Sequence, residues 1–282
     1  MTDSIAPDTH IGRVALRVTD LDELVSFYRD TIGLDVLETT ATTATLGVGE
    51  TQLLELTATD LPKRTREETG LFHTAFRVPT RAALADALVR VERDWQLSGA
   101  SDHLVSEALY LRDPEGNGIE LYVDRPREEW ERDEAGNLRM DTLPLSLSSL
   151  REAGDPERRM PAGTDVGHIH LEVSQIPASR TFYTEVVGMD EPVGLPSPYG
   201  ESSLFVSAGG YHHHIGANSW NGRTEPATGR GLDWFELVVP DADALAALSA
   251  RLSDAGYDVD DSDSELRVHD PDSIELRVRV EP

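Results

Sequence analysis

The chain has no cysteine. Disulfides, zinc–thiolate centres and thiol nucleophiles are therefore excluded, and any transition metal must be held by histidine, aspartate or glutamate. Lysine is nearly absent as well: of 25 basic residues only Lys63 is a lysine, against 52 acidic residues. A formal net charge of -27 repels phosphate backbones, so nucleic acid is not an expected partner. The acidic excess, with arginine standing almost everywhere for lysine, predicts adaptation to high salt, where screening relieves the self-repulsion. No apolar run approaches the roughly 20 residues needed to span a bilayer. The opening Met-Thr-Asp-Ser lacks the features of a secretory signal. The expectation is a soluble, cytoplasmic protein with no membrane partner. Its 282 residues, 39% of them apolar, suffice for two domains of ordinary size.

What is present is a repeat. HIGRVALRVTDLDELVSFYRDTIGLDV, from His10, matches DVGHIHLEVSQIPASRTFYTEVVGMDE, from Asp165, at a constant offset of 155 residues, with Phe27, Tyr28 and Gly33 answering Phe182, Tyr183 and Gly188. A second pair begins at FHTAFRVPTRAALADAL (Phe72) and DWFELVVPDADALAAL (Asp233) and closes with Asp-Pro turns and Ile-Glu-Leu strands at 119–121 and 274–276. Four modules result, spanning about 9–58, 70–125, 165–220 and 230–281. Each opens with an alternating apolar strand, passes through one helix and ends in short strands, which reads as βαβββ and an α+β fold class. The charged, Pro- and Gly-containing stretch 126–163 reads as a linker. It separates an N-terminal module pair (9–125) from a C-terminal one (164–282).

Four such modules resemble the vicinal-oxygen-chelate superfamily, which includes glyoxalase I, the fosfomycin and bleomycin resistance proteins and the type I extradiol dioxygenases. The resemblance covers nearly the whole chain. It implies that modules pair into open barrels around a metal, with ligands from first and last strands. The first-strand ligand position lies five residues before a valine. His73 precedes Val78 in module two and His168 precedes Val173 in module three, whereas modules one and four place Arg13 and Trp234 there. A guanidinium and an indole offer no lone pair to a divalent ion. Modules two and three are therefore expected to form the metal barrel, with Glu120 in the last strand of module two as third ligand. Modules one and four are expected to form a metal-free barrel in which Glu55 and Glu275 are isolated acids. Two imidazoles and a carboxylate on one face, with open positions opposite, is the donor set of non-haem Fe(II) oxygenases. His170, two residues beyond His168, faces the same side of an extended strand and is the second choice of ligand or an interior supporting group.

The segment DHLVSEALYLRDPEGNGIE resembles the extradiol dioxygenase signature most closely, in its catechol-2,3-dioxygenase subgroup. His103, the pair Leu109-Tyr110, the turn Asp113-Pro114 with Gly116, and Glu120 match it; Ser101 departs from the usual first residue. Pro fixes one turn dihedral and Gly relaxes another, so two antiparallel strands would present Tyr110 and Glu120 to one cavity. The resemblance places a catalytic acid/base histidine in the strand containing His212, His213 and His214, best matched by His213. On an extended strand, His212 and His214 would project to the opposite side.

Carried to these residues, the resemblance implies extradiol ring cleavage of a catechol by dioxygen at Fe(II), or Mn(II) with the same ligands. His73, Glu120 and His168 are the metal ligands, His213 the acid/base, Tyr110 a hydrogen-bond donor to the diol, and His103 a charge-stabilising partner across the ring. The partners implied are a small aromatic diol and dioxygen; such folds often assemble into homo-oligomers. The alternative is a glyoxalase-like metal-dependent isomerase or lyase that does not use dioxygen. That class adds a fourth protein ligand, and YHHHIGANSW contains no glutamate to supply it.

Overall fold

The computed structural model describes residues 4–194, 199–262 and 265–281. Module one runs through β1 (His10–Val18), α1 (Leu21–Phe27) continued by a π-helical turn (Tyr28–Ile32), β2 (Asp35–Thr39), β3 (Thr43–Val48) and β4 (Thr51–Ala58). Module two holds β5 (Gly70–Arg77), α2 (Arg81–Asp94), β6 (Gly99–Asp102), β7 (Ser106–Arg112) and β8 (Gly118–Asp124). The stretch between the pairs contributes β9 (Leu143–Pro144) and α3 (Ser148–Ala153).

Module three comprises β10 (Asp165–Glu172), α4 (Ile176–Arg180) with its π-helical turn (Thr181–Val186), α5 (Tyr199–Ser202), β11 (Ser203–Val206) and β12 (Ile215–Asn218). Module four comprises β13 (Gly231–Val239), α6 (Ala242–Asp254), β14 (Asp260–Ser262), β15 (Glu265–His269) and β16 (Glu275–Val280).

Three helices start where the sequence supplies a side-chain acceptor for an otherwise unpaired N–H. Asp20, Thr80 and Asp241 accept from Glu23, Ala83 and Ala244 at the starts of α1, α2 and α6. The π-helical turn after α1 ends at Gly33, whose φ of 93° is the left-handed conformation that terminates helices.

The strands form two curled eight-stranded sheets. One has the order β14-β15-β16-β13-β1-β4-β3-β2 and joins modules one and four; the other has the order β11-β12-β10-β5-β8-β7-β6-β9 and joins modules two and three. This is the pairing that His73 and His168, against Arg13 and Trp234, led one to expect. The 126–163 stretch adds β9 to the edge of the second sheet through Ser101↔Pro144 and Asp102↔Leu143. Its helix α3 packs on α2.

By packing, the chain divides into two compact units, one of residues 16–60 and 73–167, the other of residues up to 15, 61–72 and 168 onward. The same device is built into each. In the first, the Tyr28 hydroxyl donates to Asp113 Oδ2 at 3.2 Å, while Asp113 Oδ1 accepts from Glu115 N and Asn117 N at 3.0 and 2.8 Å. In the second, Tyr183 donates to Asp270 Oδ2 at 2.9 Å, and Asp270 Oδ1 accepts from Asp272 N and Ile274 N, both at 2.9 Å. The helix tyrosine of one module thus grips the Asp-Pro turn of the next, which explains why Phe-Tyr and Asp-Pro recur. Burial raises both carboxyls, Asp270 to about 7.

Candidate metal centre and its surroundings

Strand register aligns the module-two residues. In the parallel pairing of β5 with β8, Ala75 lies opposite Glu120; in the antiparallel pairing of β7 with β8, Tyr110 lies opposite Glu120. Side chains alternate along strands, so His73 and Ala75 share a face of β5, as Ala108 and Tyr110 do on β7 and Glu120 and Tyr122 do on β8. Ala75, Ala108 and Tyr122 pack together with Tyr110 against them. The two alanines keep this face shallow beside Glu120.

His73 Nε2 lies 3.0 Å from Glu120 Oε2, both buried. The Tyr110 ring centroid is 5.8 Å from that of His73. The Tyr110 oxygen is 2.6 Å from His103 Nε2, and His103 Nδ1 is 2.7 Å from the Asp141 carbonyl. A carbonyl only accepts, so Nδ1 carries hydrogen and the neutral ring offers Nε2 as acceptor. Tyr110 is also hydrogen-bonded to Glu120. Its single hydrogen therefore has two acceptors. Burial, the charge of Glu120 and that bond hold the phenol well above its ordinary 10. Asp141 sits in the stretch between the module pairs, 38 residues beyond His103. Nothing in its sequence context marks its backbone as a histidine anchor.

His168, on β10, is buried, and its ring centroid lies 4.1 Å from that of His213 and 6.0 Å from that of His212. The expected alternation of the triple histidine does not hold, because β12 begins only at Ile215. Gly209 and Gly210, at φ of 60° and 69°, turn the chain ahead of the histidines, and all three rings are buried. His212 and His213 both approach His168, with their Nδ1 atoms 2.7 Å apart. One of those Nδ1 atoms must donate to the other, so the tautomers of the two rings are linked. His214 differs: its Nδ1 accepts from Ala208 N at 3.2 Å, and its ring lies 4.9 Å from that of Tyr211.

His73, Glu120 and His168 each offer one ligand atom, all within 4.8 Å of one another. Two neutral nitrogens and a carboxylate suit borderline divalent ions. The 3.0 Å between His73 and Glu120 is close to the ~3 Å subtended at a right angle by ligands at bond lengths of ~2.1 Å. The donor set therefore fits a divalent metal.

The sister positions in modules one and four are filled differently. Arg13 and Arg277 lie 5.3 and 4.1 Å from the centroid of Trp234. Arg13 also binds the fully buried Glu236 at 2.8 Å, and Arg279 binds the same carboxylate at 3.0 Å. Glu275, expected to stand isolated, is paired with Arg277 at 2.6 Å.

These features define the class. The chain matches the Glyoxalase/Bleomycin resistance protein/Dioxygenase superfamily over residues 10–121 and 165–269, and it belongs to that family. It is 43% identical over 279 residues to the catechol-2,3-dioxygenase of Bacillus subtilis (strain 168), covering 95% of this chain and 96% of that one. It is 28% identical over 163 residues to biphenyl-2,3-diol 1,2-dioxygenase 3 of Rhodococcus globerulus, covering 53% of this chain and 86% of that one. Among solved structures, glyoxalase I of Zea mays shares the fold at a TM-score of 0.60 and 16% identity, covering 96% of this chain and 92% of that one. Among the described residues no helix is long and apolar enough to cross a membrane.

Proposed function

We propose that this protein is a metal-dependent extradiol dioxygenase that cleaves an aromatic diol beside its two hydroxyls, with Fe(II) held by His73, Glu120 and His168. The observation that carries this reading is the buried group of two histidines and one glutamate, in a chain 43% identical to a catechol-2,3-dioxygenase along nearly its whole length. Mn(II) would be held by the same donors. When bound, the ion supplies a template for diol and dioxygen and lowers the pKa of the diol.

The chain's own residues supply the rest. His213, its ring against that of His168, accepts a proton from the diol and later returns it, a role suited to an imidazole near neutral pH. His212 is a positioning residue. Through the Nδ1–Nδ1 contact it sets which nitrogen of His213 bears hydrogen: when His213 Nδ1 donates to His212, His213 Nε2 is left as the base. Burial, the largest cause, raises the Tyr110 phenol above its ordinary range, so near neutral pH it is a hydrogen donor. By turning its one hydrogen away from His103 Nε2 or Glu120 it can donate to a diol oxygen, while the Asp141 carbonyl holds the His103 ring in place.

The test is oxygen uptake by anaerobically iron-loaded protein in concentrated KCl, on addition of catechol, 4-methylcatechol and 2,3-dihydroxybiphenyl. Uptake with formation of a yellow ring-opened product is the expected result. No uptake from iron-replete protein would overturn the reading. His213→Ala should keep its iron and lose turnover by about 10²-fold or more.

A further inference from the structure

Beyond His168 and His213 a row of aromatic rings continues to the surface. Phe205 on β11 and His170 on β10 both pair in register with Gly216 on β12, so they flank one row of the sheet in which the central residue has no side chain. The His170 ring lies across that gap: a Cβ at position 216 would meet it at 2.9 to 3.1 Å. Ring centroids are 4.8 Å apart between His213 and Phe205, 5.8 Å between Phe205 and His170, 5.2 Å between His170 and Phe72, and 5.6 Å between Phe72 and Trp220. All are separations at which aromatic rings attract. His168 and His170 share a strand face, so the row continues the face that bears the proposed ligand.

Trp220 ends the row. It is 53% exposed, yet its indole is held by Nε1 donating to Ser203 Oγ at 3.0 Å, and its backbone N donates to Asn218 Oδ1 at 3.3 Å. A large apolar ring fixed in place but left half in water is poor core and good binding surface. It connects through unbroken ring contacts to the histidine assigned to proton transfer.

We propose that Phe205, His170, Phe72 and Trp220 form a specificity wall, and that the preferred substrate is a catechol bearing an aryl or comparably large apolar substituent that packs along it. This rests on the extradiol reading. The wall contributes binding that grows with substituent size, while the bare diol reaches only the inner end of the row.

The experiment has two arms. In the first, oxygen uptake is measured with catechol, 4-methylcatechol and 2,3-dihydroxybiphenyl for the wild type, Trp220→Ala and Phe205→Leu. The expected loss in kcat/KM is graded: roughly tenfold for 2,3-dihydroxybiphenyl, expressed in KM, smaller for 4-methylcatechol and least for catechol. An equal loss across the series, or none, overturns the wall. In the second arm, tryptophan emission is titrated under argon with 2,3-dihydroxybiphenyl for the wild type and Trp220→Phe, the variant correcting for absorption by the diol. Quenching that depends on Trp220 supports the wall even if no diol is turned over, in which case only the reaction assignment has failed. Quenching identical in both proteins overturns it whatever the turnover.

Discussion

Replacing Asp270 by asparagine should stabilise the protein by an amount that grows from about pH 4 to about pH 7 and is constant above that. Asp270 is buried, and burial, with a further contribution from Asp272, raises its carboxyl from 3.8 to about 7 despite the donors that surround it. For an acid whose folded pKa exceeds its unfolded one, the folded state binds the proton more tightly. The stability associated with protonation is therefore complete below about pH 4 and is lost as pH rises through about 7. A shift of about 3 units at ~1.36 kcal/mol each sets a ceiling of about 4 kcal/mol on that loss. Asparagine removes the titration and keeps the contacts: its Oδ1 can accept from the Asp272 and Ile274 N–H groups, and its amide can donate to the Tyr183 oxygen. Urea midpoints are to be measured for both proteins from about pH 4 to about pH 8 in concentrated KCl, with tryptophan emission as the probe. The quantity of interest is the difference between the two proteins at each pH, which cancels the titration of the other carboxylates. It should be smallest at the acid end, grow up to about pH 7, and level off at between about 1 and 4 kcal/mol at the alkaline end. A difference that does not vary with pH would refute the reasoning.

Three further outcomes are expected. Glu120→Ala should fold, by circular dichroism, but fail to retain iron through dialysis; stoichiometric iron in the variant would remove Glu120 from the ligand set. Gly216→Ala should cost about 1–3 kcal/mol in urea denaturation, because the new methyl meets the His170 ring at 2.9 to 3.1 Å. With a net charge of -27, refolding yield should rise steeply with added KCl; equal yields in dilute buffer and concentrated KCl would count against the salt-adapted reading.

How much of this was legible in the sequence differs from residue to residue. Module pairing was, because a single substitution class decides it: imidazole can ligate an ion, whereas the guanidinium of Arg13 and the indole of Trp234 cannot. The alignment of Tyr110 with Glu120 was also legible, since a tight Asp-Pro-x-Gly turn leaves a hairpin few registers. The triple histidine was misjudged because strand alternation was extended one turn too far. Gly209 and Gly210 take left-handed conformations and the strand starts only at Ile215, so His212 and His213 come to the same side. The Asp141 carbonyl that orients His103 was invisible in principle, since a backbone acceptor carries no residue code. The Tyr28–Asp113 and Tyr183–Asp270 locks were in view as repeated letters, but their hydrogen bonds join modules that periodicity treats one at a time.

The Arg13–Trp234–Arg277 stack gives the duplicated scaffold a division of labour. At the position where the sheet of modules two and three would offer lone pairs to an exchangeable cation, that of modules one and four carries a guanidinium bonded to its own chain and neutralised by Glu236. No chelator can extract that charge, no competing ion can displace it, and no change in metal supply alters it. The sheet of modules two and three would thus draw on the cell's metal pool, whereas that of modules one and four has its cation written into the gene.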